Sequence, residues 1–200
     1  MDRPSCAFFG HRNFDYAPYE DIIRKRIVDL IENRGVTVFY GGGRGNFDGT
    51  CARIVWELKS QYPHIKNILV LSYHPTSNFE ISSYYDESVY LLENKVLPRF
   101  AISHSNRQLV KTVDYVISGV SRPFGGAKSA CDYAEHLLKT IFYVVKDIVC
   151  NDCDRAIREH EEAMKDEAYR KQMEEEIARS YERTKHVEQE IAKRAKKRRR

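Results

Sequence analysis

Three glycine-bearing segments carry residue types that hold phosphate. The first is Gly10-His11-Arg12. The second runs Gly41-Gly42-Gly43-Arg44-Gly45-Asn46-Phe47-Asp48-Gly49. The third is Gly119 followed by Arg122-Pro123-Phe124-Gly125-Gly126-Ala127. Glycine lets the backbone approach a ligand closely. A helix starting just after such a loop presents unpaired N–H groups and a positive dipole end. An anion, commonly phosphate, fits there. The plain alternative is that the glycines only make tight turns, and two clusters before helices on one sheet edge weigh against it. Neither is a Walker loop, because no Gly-Lys-Ser/Thr follows. The dinucleotide fingerprint is incomplete, and its glycines follow the second strand rather than the first.

Around these loops stand candidate side chains. Arg12, Arg99 and Arg107 offer planar forks that suit phosphate, against the alternative of surface ion pairs. Lys128 adds charge beside the third segment. His11 reads as a hydrogen-bonding or stacking residue before an acid–base catalyst. Asp48 opens a helix, where a capping carboxylate is equally at home. Asp48 and Asp132 are the candidate catalytic carboxylates. Asn106 can bond a ribose or base, and Ser118 and Ser121 are secondary candidates.

The elements that position these residues follow from hydrophobic pattern. Apolar runs at 6–9, 36–40, 68–71, 115–118 and 141–145 read as strands. Ile22, Ile23, Ile27, Leu30 and Ile31 recur at helical spacing, and helices are expected over 48–61, 101–112 and 127–138. Strands that alternate with helices make a parallel sheet. Continuous apolar strands suit a sheet covered on both faces. The expected fold is α/β: a Rossmann-like, doubly wound, mainly parallel sheet. Ligands then bind beyond the carboxyl ends of the strands, where the glycine segments lie. Segment 73–98, rich in Tyr, Ser and Asn, reads as an irregular insertion.

Composition sets the limits. With 42% hydrophobic and 31% charged residues, the 200-residue chain can build a core. No apolar run reaches the roughly 18 residues of a membrane span. The opening Met1-Asp2-Arg3-Pro4 is unlike a signal peptide. Five scattered cysteines make no disulfide framework. A cytoplasmic protein with no membrane partner is expected. Residues 1–150 are nearly neutral and form the expected binding domain. Residues 151–190 hold 8 basic and 13 acidic side chains, and residues 191–200 hold seven basic and no acidic ones. Met164, Met173, Ile177, Tyr181, Val187 and Ile191 give 151–200 a narrow apolar stripe, so a charged helical arm is expected. It is solvated, with pairs such as Glu190 and Arg194, or it docks on a partner helix. Its basic tip can touch nucleic acid weakly and nonspecifically. Cys150 and Cys153 form one Cys-x-x-Cys pair, too few ligands for zinc, and no metal is expected.

Tyr40-Gly41-Gly42-Gly43 with Phe47-Asp48-Gly49, and Gly125-Gly126 before a helix, resemble the two phosphate loops of the Lonely Guy (LOG) proteins. These belong to the SLOG superfamily, with the Rossmann-like domain of DprA/Smf. Gly10-His11-Arg12, Phe47-Asp48, Arg99-Phe100, Asn106-Arg107 and Gly125-Gly126-Ala127 together look most like the bacterial YpsA-like SLOG proteins. The resemblance covers about residues 4–146. It implies a sensor or binding module for a nucleotide or nucleotide-derived small molecule; together with the arm's stripe it points to a homo-oligomer, and no other cofactor is expected. The alternative it implies is a phosphoribohydrolase cleaving the N-glycosidic bond of nucleoside 5′-monophosphates. Here the chain departs from the LOG pattern. Phe124, Lys128, Ser129 and Asp132 stand for Pro, Gly, Thr and Glu, and Ser105 stands where an arginine is expected.

Overall fold

A computed structural model describes residues 3–74, 79–92 and 96–145, together with Glu162 and Lys171. The chain divides into units 1–150 and 151–200. The arm stripe, the basic tip and the Cys150/Cys153 pair lie outside the described residues.

The first unit alternates strand and helix. Its strands are β1 (Ser5–Gly10), β2 (Val38–Gly41), β3 (Lys66–Leu71), β4 (Glu87–Tyr90), β5 (Tyr115–Gly119) and β6 (Thr140–Tyr143). Its helices are α1 (Glu20–Arg34), α2 (Asn46–Leu58), α3 (Pro98–Thr112) and α4 (Gly126–His136). All six strands are parallel, in the order β4-β3-β2-β1-β5-β6. The chain winds outward from β1 to β4, then returns to lay β5 on the other side of β1. The order therefore reverses between β1 and β5, and a crevice opens at their carboxyl ends.

Alternation along β1 assigns its two faces. Ala7 and Phe9 are buried with Leu109 and Val110 of α3 and Ala130, Cys131 and Ala134 of α4. Phe8 faces the other way and stacks on Phe39 of β2, with ring centroids 5.8 Å apart. Each fully buried side chain of this size contributes about 1.5–3 kcal/mol. On α1, Ile23, Ile27, Leu30 and Ile31 are buried. Ile22, expected on the same stripe, is 44% exposed, because it lies 100° round the helix from Ile23. Among the described residues, no helix is long and apolar enough to cross a membrane.

Five of the strands fall where their apolar runs lie, with ends shifted by at most two residues. The sixth, β4, lies inside the segment expected to be irregular. Glu87-Ser88-Val89-Tyr90 is short, sits at the sheet edge and is only partly buried, so it carries no apolar run. Polar bonds seat it instead. Asp86 Oδ2 accepts the Asn67 N–H at 2.7 Å, and Asn67 Nδ2 donates to the Tyr84 carbonyl at 2.9 Å.

Candidate functional site

At the crevice the strand ends must come close, and small residues permit it. Gly10 and Gly119 are register partners on β1 and β5. A Cβ on either would fall 2.3–2.4 Å from the ring of Phe47. Phe47, 1% exposed, is thus the floor beneath both glycines rather than a ligand contact. Tyr16 fastens the same corner. Its hydroxyl accepts the His11 N–H at 2.8 Å and donates to the Gly119 carbonyl at 2.6 Å.

A cavity of about 290 Å³ lies above this floor. That is near the lower end of small-molecule sites, roughly 300–1,000 Å³. Of the expected site residues, Gly10, His11, Arg12, Gly42 and Asp48 line it from the β1 and β2 ends. Gly125, Gly126 and Ala127 line it at the start of α4, where Gly125 has φ +101°, a conformation open to glycine. Asn106 lines it with Ile102, Ser105 and Leu109, one face of α3 at spacings of three and four.

His11 is held on several sides. It is 5% exposed, and its Nε2 accepts the Ser121 N–H at 2.9 Å and the Arg122 N–H at 3.2 Å. Arg122 Nε approaches the other ring nitrogen, Nδ1, at 3.4 Å, so donors face both nitrogens of the ring. Burial, then the nearby Arg122 guanidinium, lower its pKa from 6.5 to about 4. His11 is a neutral clip between the first and third loops.

Asp48 is half-buried on the first turn of α2. It does not cap that helix. Its Oδ1 accepts the Gly42 N–H at 3.3 Å and its Oδ2 the Arg44 N–H at 3.0 Å. Burial raises its pKa, and the two backbone bonds and Arg44 oppose the rise. Gly41 and Gly43 stand in the same loop but do not line the cavity. Beside Gly41 lies the buried Tyr85 hydroxyl, which has no hydrogen-bond partner among the described residues.

The remaining expected residues lie elsewhere. Ser118 is buried behind β5, where its Oγ accepts the Val120 N–H at 3.3 Å and lies 3.2 Å from Cys131 Sγ. The Arg99 guanidinium lies over the Phe100 ring and that of Arg107 over the Tyr133 ring. Neither lines the cavity. Asp132 does not line it either; it is exposed and pairs with Lys128 one turn back on α4.

Two arginines not expected there do line it: Arg44 and Arg122. Arg44 lies over the Tyr73 ring at 5.4 Å, and its carbonyl accepts Arg12 Nε at 3.0 Å. Arg122 lies over the Phe124 ring at 5.8 Å. The signal for both was present in the chain. Like Arg12, each follows a strand-end glycine within three residues. Tyr16 had no such signal. The cavity thus joins Arg12, Arg44 and Arg122 to one carboxylate, Asp48, with the uncapped start of α4 at its rim.

No family model matches the chain, and no curated protein does. Solved structures do. DNA processing protein A from Streptococcus pneumoniae matches with a TM-score of 0.56 and 18% identity, covering 78% of this chain and 56% of that one. The Helicobacter pylori protein, described for its single-stranded DNA binding mode, matches with a TM-score of 0.52 and 16% identity, covering 70% and 65%. The molybdenum cofactor carrier protein of Chlamydomonas reinhardtii gives 0.45 and 14%, covering 78% and 83%. The chain therefore spans little more than half of the first of these proteins. What it shares with the two DNA processing proteins is architecture, an α/β Rossmann-like fold.

Proposed function

We propose that the first unit binds a nucleotide-derived phosphate ester in the cavity at the β1/β5 crevice, as a sensor or binding module. The observation that carries this reading is the convergence of Arg12, Arg44 and Arg122 on one cavity beside the open start of α4. Three guanidinium groups against one half-buried carboxylate favour an anion. The N–H groups at Gly126 and Ala127 supply donors for phosphate oxygens. Asn106 supplies a polar contact for a ribose or base. The Arg44 side chain, set against the Tyr73 ring, offers a flat cationic surface beside it.

Binding is favoured over glycosidic hydrolysis by the placement of carboxylates. Such hydrolysis needs a carboxyl group free to face the reacting bond. Among the described residues Asp48 alone lines the cavity, and both its oxygens accept loop amides. A small cavity also suits one nucleotide unit better than a strand, which needs a groove spanning several nucleotides. The DNA bound by the Helicobacter protein is for that reason not carried over to this cavity.

Isothermal titration of the full chain with adenosine 5′-monophosphate, ADP-ribose, NAD and cyclic nucleotides tests the proposal. At least one binds, and Arg122→Ala weakens it about 10- to 100-fold, as loss of a charged hydrogen bond of about 1.5–3 kcal/mol requires. Binding that Arg122→Ala and Arg44→Ala leave unchanged sinks the assignment of this cavity. Free base released on incubation with the monophosphate would establish the hydrolase instead.

A further inference from the structure

We propose that Asp48 acts as a built-in anion that keeps ligand phosphate off the first glycine loop, so that the site selects an ester with one phosphate, seated at the α4 end. This rests on the reading of the cavity as a phosphate-ester site. The glycine loop after β2 has the make-up of a phosphate cradle, yet two of its N–H donors are already engaged. The Gly42 N–H donates to Asp48 Oδ1 at 3.3 Å and the Arg44 N–H to Oδ2 at 3.0 Å. A phosphate lying on this loop would need those same two groups. Asp48 also occupies the first turn of α2, so its charge meets the positive helix end that would draw the phosphate in. A second anion beside this half-buried carboxylate is repelled, more strongly than it would be in bulk water.

The opposite rim differs. No side chain caps α4, and Asp132, the carboxylate nearest in sequence, is turned to Lys128. Arg122 stands beside that rim, with its backbone N–H 3.2 Å from His11 Nε2. The two glycine loops, alike in sequence, are thus unlike in chemistry. One is closed by its own carboxylate and the other is open to an anion. A ligand with a diphosphate long enough to reach both loops would set its second phosphate against Asp48.

Amide spectra of the ¹⁵N-labelled full chain test this with three probes: inorganic phosphate, adenosine 5′-monophosphate and adenosine 5′-diphosphate. In the wild type the monophosphate moves the Gly126 and Ala127 signals and leaves Gly42 and Arg44 in place, and the diphosphate binds at least tenfold more weakly. Asp48→Asn narrows that gap below threefold and lets inorganic phosphate move Gly42 and Arg44. The proposal is overturned if any probe moves Gly42 and Arg44 of the wild type as far as Gly126 and Ala127, or if the diphosphate binds it as tightly as the monophosphate. If neither nucleotide binds either protein, the phosphate-ester reading fails on its own. Inorganic phosphate at Gly42 and Arg44 of Asp48→Asn alone then still supports the role of Asp48, and its absence there overturns it. Should Asp48→Asn melt below the assay temperature, the wild-type shifts and the affinity ratio decide.

Discussion

His11 Nε2 accepts two backbone N–H groups, and a protonated imidazole could accept neither. Folding therefore favours the neutral ring, and the folded pKa falls to about 4 from 6.5. The sign follows by linkage. A depressed pKa contributes stability that is fully present above 6.5 and is lost as pH falls toward about 4. Melting temperature should fall across that window more steeply in the wild type than in His11→Gln, whose amide oxygen can stand for Nε2 at any pH. Contributions from the other titrating groups, shared by the two proteins, cancel in the difference. Parallel profiles would show that His11 is not the clip described. Tyr16 gives a companion test at the same corner. Tyr16→Phe removes the hydroxyl that joins His11 to Gly119 and leaves a buried carbonyl without its donor. A loss of about 1–3 kcal/mol in urea unfolding is expected, and an unchanged midpoint would contradict it.

At the scale of elements, what could be read in the chain and what could not divide by physical cause. The strand-end glycines were legible because Gly10 and Gly119 must be glycine wherever a ring like that of Phe47 lies under both strands. Asn106 lines the cavity, whereas Arg107 lies 100° round α3 from it and turns to Tyr133 on α4. Helical phase against a second helix is a tertiary fact that no local pattern contains. Strand β4 escaped for a related reason. Its stability comes from pairing with β3 and from Asp86 and Asn67, not from an apolar run of its own. The packing of α2 beneath β1 and β5 yields a quantitative expectation. Gly119→Ala forces a Cβ to within 2.4 Å of Phe47 and 2.7 Å of Tyr16, and should cost about 1–3 kcal/mol or more. Phe47→Ala alone should cost about 3–5 kcal/mol. Combined, they should cost clearly less than the sum, because the second change removes the ring that the first one strikes. Strict additivity in urea unfolding would mean that the ring and the strand ends do not meet.

For the whole first unit, the cavity lies where the winding order reverses, so its walls come from β1, β2, α3 and the β5–α4 loop at once. A ligand there ties together segments from residue 10 to residue 127. Its binding energy should therefore appear as stability of the entire unit. At about 100 times Kd the gain is about 2.7 kcal/mol. For a unit of about 150 residues this raises the melting temperature by roughly 5–10 °C. Salt separates this effect from nonspecific stabilisation. The Debye length falls from about 10 Å at 0.1 M to about 3 Å at 1 M, which weakens attraction between an anion and partly exposed arginines. The shift produced by adenosine 5′-monophosphate should shrink markedly between 0.1 and 1 M sodium chloride (about one Debye regime to the next). The small residual shift of Arg122→Ala should depend on salt less steeply, having one cation fewer at the cavity. A shift independent of salt, and equal in the two proteins, would place the ligand away from the three arginines.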